Sequence, residues 1–140
     1  MADQVSSDSD VAYVTGVLET PPPHYGPLSD LIYYRSYTVN AKTSFGITMF
    51  WTQAAGWFTF RLGWEYSAEA VSSHGVKLAY LLKYQKLNLE QSVGETPHTA
   101  TVYATGHFRN RIINTYPWIY AWITCQTGGT TLYGGSVHWA

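Results

Sequence analysis

Cys125 and the five histidines, His24, His74, His98, His107 and His138, are the residue types here that could do covalent or metal chemistry. A thiol nucleophile needs a neighbouring base, and metal ligands on one element recur at short spacing. No two of these histidines stand two or four residues apart, and Cys125 lies in the β-rich run Trp122-Ile123-Thr124 with no basic residue beside it. The chain also lacks G-x-S-x-G, a phosphate-binding glycine loop, H-E-x-x-H and C-x-x-C. No enzyme, metal or cofactor is therefore expected, and Cys125 is expected to be a packed thiol. What remains is the chemistry of recognition. Arg109 supplies a planar donor that suits hydroxyl and carboxylate groups, and Trp57 supplies an aromatic platform on a strand face it shares with Arg61.

The elements that must hold these residues read as strands. Leu31 to Val39 and Phe45 to Thr52 are rich in β-branched and aromatic residues, with a turn expected at Asn40-Ala41-Lys42. Ala54-Ala55-Gly56 is expected to break the run before Trp57–Trp64, where Phe58, Phe60, Leu62 and Trp64 would face the core and Trp57, Thr59 and Arg61 would face outward. Residues 76–90 are ambiguous between a leucine-striped helix and an alternating strand, and a strand with a turn at Gln85-Lys86 is expected. Thr99 to Tyr103 and Ile112 to Thr124 are β-rich, and Gly128-Gly129 and Gly134-Gly135 read as punctuation. Pro21-Pro22-Pro23 and Pro27 impose an extended loop. Short strands with turns between them define an all-β class, a single sandwich or barrel domain over 11–140.

Composition agrees with this. The 140 residues are 46% apolar, 16% aromatic and only 12% charged, which excludes a disordered chain, a coiled coil and a collagen-like repeat. Residues 1–10, MADQVSSDSD, read as a disordered tail or one added in cloning, and they hold three of the nine carboxylates. No cluster of Lys or Arg exists beyond Arg109 and Arg111, so nucleic acid is not expected as a partner. No apolar stretch reaches the ~20 residues of a membrane span, and neither membrane insertion nor a signal peptide is expected. One cysteine and no N-x-Ser/Thr site favour synthesis in a reducing compartment, such as the cytoplasm.

Two families enter on particular motifs. His107-Phe108-Arg109-Asn110-Arg111, with Asn114 and Trp118 after it, resembles the sugar-binding run of galectins in residue types, though in scrambled order. The segment Val76 to Thr105 resembles the receptor-binding head of the rotavirus outer-capsid spike, the amino-terminal fragment released by trypsin. That family runs Leu-Lys-Tyr, then Gly-Glu-Thr-Pro, then a Thr-rich stretch and Tyr-x-Ser. Here the same order stands as Leu82-Lys83-Tyr84, Gly94-Glu95-Thr96-Pro97, the stretch containing Thr101, and Tyr103-Ala104-Thr105. Val17-Leu18-Glu19-Thr20-Pro21, running to Asp30, is similar to the family's proline-rich approach to its first long strand. The stretch from Asp30 to Gly94 is shorter than in group A heads, and Thr105 replaces serine, which points to another rotavirus group or a related virus.

The resemblance implies a galectin-like sandwich of two antiparallel sheets, displayed on the virion outer capsid with the rest of the spike, that attaches weakly and multivalently to host cell-surface glycans. It also implies that Tyr103 packs on the sugar and Thr105 hydrogen-bonds to it. The family's carboxylate-gripping arginine is not matched to a position of this sequence, so a neutral blood-group or galactose-type glycan is expected as readily as a sialylated one. Together with the residue chemistry, this makes Tyr103, Thr105, Thr101, Arg109 and Trp57 the candidate glycan-binding residues. Two other readings of the same chain are a ligand-free structural capsid β-domain and a cytosolic lectin of fungal or plant type.

Overall fold

The computed structural model describes residues 13–26, 30–61 and 65–138. The chain tail 1–10, Pro27, Leu62 and Trp64, all discussed above, lie outside them. Among the described residues the chain forms two antiparallel sheets and no α-helix. The larger sheet is built on a long hairpin, β3 (Leu31–Lys42) with β4 (Thr48–Arg61). Strands β1 (Tyr13–Glu19) and β2 (His24–Tyr25) share the free edge of β3, while β5 (Glu65–Ala70) and β6 (Ser73–Val76) share the free edge of β4. The smaller sheet runs β10-β9-β8-β7, from β7 (Tyr84–Thr96), β8 (Thr99–Asn110), β9 (Trp118–Gln126) and β10 (Thr131–His138). The protein is an all-β sandwich.

The core forms where the inward rows of the two sheets meet. Phe50 and Phe58 of β4 meet Val102 and Phe108 of β8 and Ile119 and Ile123 of β9, and all six are fully buried. Phe50 lies 4.8 Å from the Phe108 ring and 4.5 Å from Tyr84, so aromatic pairing adds to burial. Burying one such phenylalanine contributes about 2–3 kcal/mol by area alone. Cys125 is an inward residue of β9, where burial pushes its thiol pKa up, and its Sγ lies 3.9 Å from the Tyr66 hydroxyl.

Several sequence expectations change, among them the run Ile112 to Thr124, which is strand only from Trp118. Ala54-Ala55-Gly56 does not break β4, because these small residues sit where the sheets come close: a Cβ on Gly56 would stand 2.7 Å from Val102 Cγ2. The β3–β4 turn falls after Asn40-Ala41-Lys42, at residues 43–47, where Thr43 Oγ1 accepts from the amides of Phe45 and Ile47. Lys77 to Lys83 is not a strand. Val76 pairs with Phe50, two residues from the start of β4, so the edge that β6 follows runs out. The chain forms a 3-10 turn at Leu78–Tyr80, and β7 starts at Tyr84 and runs straight through Gln85-Lys86, where a turn was expected. Gly134-Gly135 lies inside β10 rather than in a turn, with Gly134 beneath the Trp122 indole, whereas Gly128 and Gly129 do form one, at φ 86° and 87°.

Candidate functional site

Period-two alternation along β8 puts Thr101, Tyr103, Thr105, His107 and Arg109 on the outward face of the smaller sheet, opposite the buried row Ala100, Val102, Ala104, Phe108. Register then supplies their neighbours. Tyr103 stands between Ser92 of β7 and Trp122 of β9, and Thr105 stands between Glu90 and Tyr120. Adjacent strands lie about 4.8 Å apart, so each such row is a set of touching side chains.

These rows enclose an open concavity of about 400 Å³ lined by Glu90, Gln91, Ser92, Tyr103, Thr105 and Tyr120. Its size falls in the range of small-molecule clefts, ~300–1,000 Å³. Tyr103 remains 39% exposed, as an aromatic wall rather than a core residue. The hydroxyls of Ser92, Tyr103, Thr105 and Tyr120 have no hydrogen-bond partner among the described residues, so they are available to a ligand. Burial pushes the Tyr120 phenol up, and Tyr103 beside it adds to that, which keeps it a neutral donor and acceptor. Glu90 is the charged member of the lining. Its Oε1 accepts from His107 Nε2 at 2.6 Å.

The sequence candidates divide around this concavity. Tyr103 and Thr105 line it together. Thr101 lies on the same face one step away, its hydroxyl engaged with Thr124 Oγ1 at 2.6 Å. Arg109 also faces outward but stands four residues from Thr105, roughly 13 Å along the strand, and its Nε donates to Asn114 Oδ1 at 3.1 Å. The galectin-type set closes on itself: His107 is paired across the strands with Trp118, and Trp118 stacks on His138 at 3.9 Å and 10°. Trp57 is not part of the site. It projects from the outward face of the larger sheet, packed between Tyr34 at 5.1 Å and His24 at 5.8 Å, because β4 belongs to the opposite layer of the sandwich. Its strand neighbour Arg61 is bound to the Asp30 carboxylate at 3.0 Å.

Glu90, Ser92 and Tyr120 were not among the sequence candidates. Tyr120 carried a signal in the alternation Trp118, Tyr120, Trp122, which marks one face of β9 as aromatic and not core. Glu90 and Ser92 carried none, since only the β7–β8 register brings them to Thr105 and Tyr103.

Fold and site define an all-β sandwich with a shallow, hydroxyl-lined cleft on one outward sheet face. No protein-family model, curated protein or solved structure matches this chain.

Proposed function

We propose that this domain is the attachment head of a viral spike, held on the virion outer surface by the rest of the spike, and that it binds neutral cell-surface glycans in the Tyr103 cleft. The carrying observation is the lining itself: an exposed tyrosine ring beside unpartnered hydroxyls is the complement of a sugar, which offers an apolar ring face and a rim of hydroxyl groups. The resemblance in Gly94-Glu95-Thr96-Pro97 and Tyr103-Ala104-Thr105 supports the viral setting. The charge of the lining selects the sugar. No Lys or Arg lines the cleft to grip a sialic carboxylate, and its one charged lining residue is Glu90, already shared with His107 at 2.6 Å, which favours galactose-containing or blood-group glycans.

A cleft this open engages few sugar faces, and each hydroxyl taken from water returns about 1 kcal/mol net, so a single site binds at roughly 0.1–10 mM. Attachment then depends on many copies, where the second contact forms at high effective concentration. The test is an array of neutral and sialylated glycans probed with the monomer and with the domain displayed on particles. Binding by the particles alone, to neutral glycans over their sialylated counterparts, is expected. Silence in both formats overturns the reading in favour of a ligand-free structural domain.

A further inference from the structure

The end of the sandwich at which β3 turns into β4 gathers three connections: residues 43–47, 77–83 and 111–117. They are tied to one another and to the sheets through Arg111 N donating to the Lys83 carbonyl and Lys77 N donating to the Met49 carbonyl, both at 2.8 Å. Each connection turns large apolar side chains outward. Leu82 is 93% exposed, Phe45 89%, Leu78 85% and Ile112 72%, with Ile47 and Ile113 about half exposed. Single exposed leucines are ordinary on a soluble surface, but a group of this size on one end is not.

Charge is sorted along the same axis. Six of the eight Lys and Arg, namely Lys42, Lys77, Lys83, Lys86, Arg109 and Arg111, lie on these connections or on the strand ends leading into them. The three connections carry no carboxylate, and Asp30, Glu65 and Glu95 stand at the opposite end of the strands, whereas Asp3, Asp8 and Asp10 precede β1, whose Tyr13 pairs with Lys42 at this end.

The turn backbones are also prepared to leave water. Thr43 Oγ1 takes the amides of Phe45 and Ile47, Asn110 Oδ1 takes those of Ile112 and Ile113, and the Tyr80 carbonyl takes that of Lys83. Unpaired amides at such tips would oppose transfer to a low-dielectric layer, and these five are paired within their own turns. We propose that this end docks on an anionic lipid surface, with Phe45, Leu78, Leu82 and Ile112 entering the headgroup layer and the surrounding cations facing lipid phosphates and carboxylates. The apolar groups sit on separate tips, so a protein partner would need three matching sockets, whereas a fluid interface needs none. This departs from the expectation that the domain stays out of membranes, and docking of this kind requires no spanning segment. It stands independently of the glycan reading.

The test is co-sedimentation of the whole chain with glycan-free phosphatidylcholine vesicles, with and without phosphatidylserine. Binding is expected only with phosphatidylserine and should weaken with salt, each cation near the surface contributing about fivefold. The triple variant Phe45→Ser, Leu82→Ser, Ile112→Ser should lose at least about tenfold in binding with an unchanged melting temperature, because these side chains already face solvent. The pair Lys77→Glu and Arg111→Glu should erase the preference for phosphatidylserine. No vesicle binding at low salt, or binding that survives the triple substitution, overturns the proposal. A concentration-dependent dimer that the triple variant abolishes does so too, by assigning this end to a second copy of the chain. Since the vesicles carry no glycan, a negative result leaves the Tyr103 cleft untouched.

Discussion

Both outward faces of the sandwich are built round tryptophan and tyrosine, and they use them differently. On the larger sheet many side chains satisfy one another: Trp57 packs between Tyr34 and His24, Gln53 Nε2 donates to Thr38 Oγ1 at 3.0 Å, Ser36 donates to Glu19 at 2.9 Å and Arg61 holds Asp30. The concavity on that face, lined by Thr38, Asn40, Trp51, Gln53 and Lys77, is smaller at about 220 Å³. On the smaller sheet the Tyr103 and Thr105 rows leave four hydroxyls without protein partners around a concavity. A face whose groups are already paired has little left to offer a ligand, because binding would first have to break those pairs. The same residue types thus pack round Trp57 on one sheet and leave the larger open concavity, round Tyr103, on the other.

Tyr103 and Trp57 separate the two faces most directly. Tyr103→Ala should abolish multivalent glycan binding, a loss of about 2 kcal/mol or more per site, while the melting temperature moves by only a few degrees. Particle binding on the array and a thermal melt read both, and a collapse in stability would mean that Tyr103 is a packing residue like Trp57. Trp57→Ala should do the reverse, costing about 1–2 kcal/mol in urea unfolding through its lost aromatic contacts and leaving glycan binding intact. If Trp57→Ala removes binding from a folded domain, the two faces are not separate in function.

Cys125→Ser asks whether the recognition face is separable from the interior behind it. A hydroxyl replaces a buried thiol that touches Tyr66, so a loss on the order of 1 kcal/mol is expected with glycan binding retained. Loss of binding in a folded variant would couple the core to the cleft.

The smallest effect concerns His74, which belongs to neither face but joins the sheets by donating from Nε2 to the Leu87 carbonyl at 2.8 Å. Burial holds its pKa below the ordinary 6.5, with the Leu87 bond opposing and Lys86 and His107 adding to the depression. Below that value the unfolded chain binds a proton that the folded chain refuses, so stability falls as pH falls. Lowering the pH from about 7.5 to about 5.5 should reduce the melting temperature by roughly a few degrees, and His74→Gln should flatten that dependence. An equal slope in the variant would place the acid sensitivity elsewhere.

Much of the fold was legible in particular residues. The alternation in Trp57-Phe58-Thr59 gave the inward Phe58 and outward Trp57, and the β-branched run Leu31 to Val39 gave β3. Breaks were misread where small residues answer a distant contact. Ala54-Ala55-Gly56 and Gly134-Gly135 look like turns locally, yet each is small because something lies against it: Val102 against Gly56, and Trp122 against Gly134. The segment 77–83 was misread for the opposite reason, since its alternation suited a strand but the β4 edge beside it ends at Thr48.

By itself the sequence determined the class of structure, through period-two patterning and aromatic content, while Tyr103 and Thr105 became candidates, with Thr101, Arg109 and Trp57, through a family resemblance and residue chemistry. It could not determine that Glu90, Ser92 and Tyr120 complete their cleft, that Trp57 lies on the other side of the molecule, or that Phe45, Leu82 and Ile112 share one end. Side-chain direction along a strand is fixed by local backbone geometry and can be read from neighbours in the chain. Which strand lies beside which, and in what register, is fixed by the burial of residues far apart in sequence, such as Phe50 against Phe108, and is decided only when the two sheets close on each other.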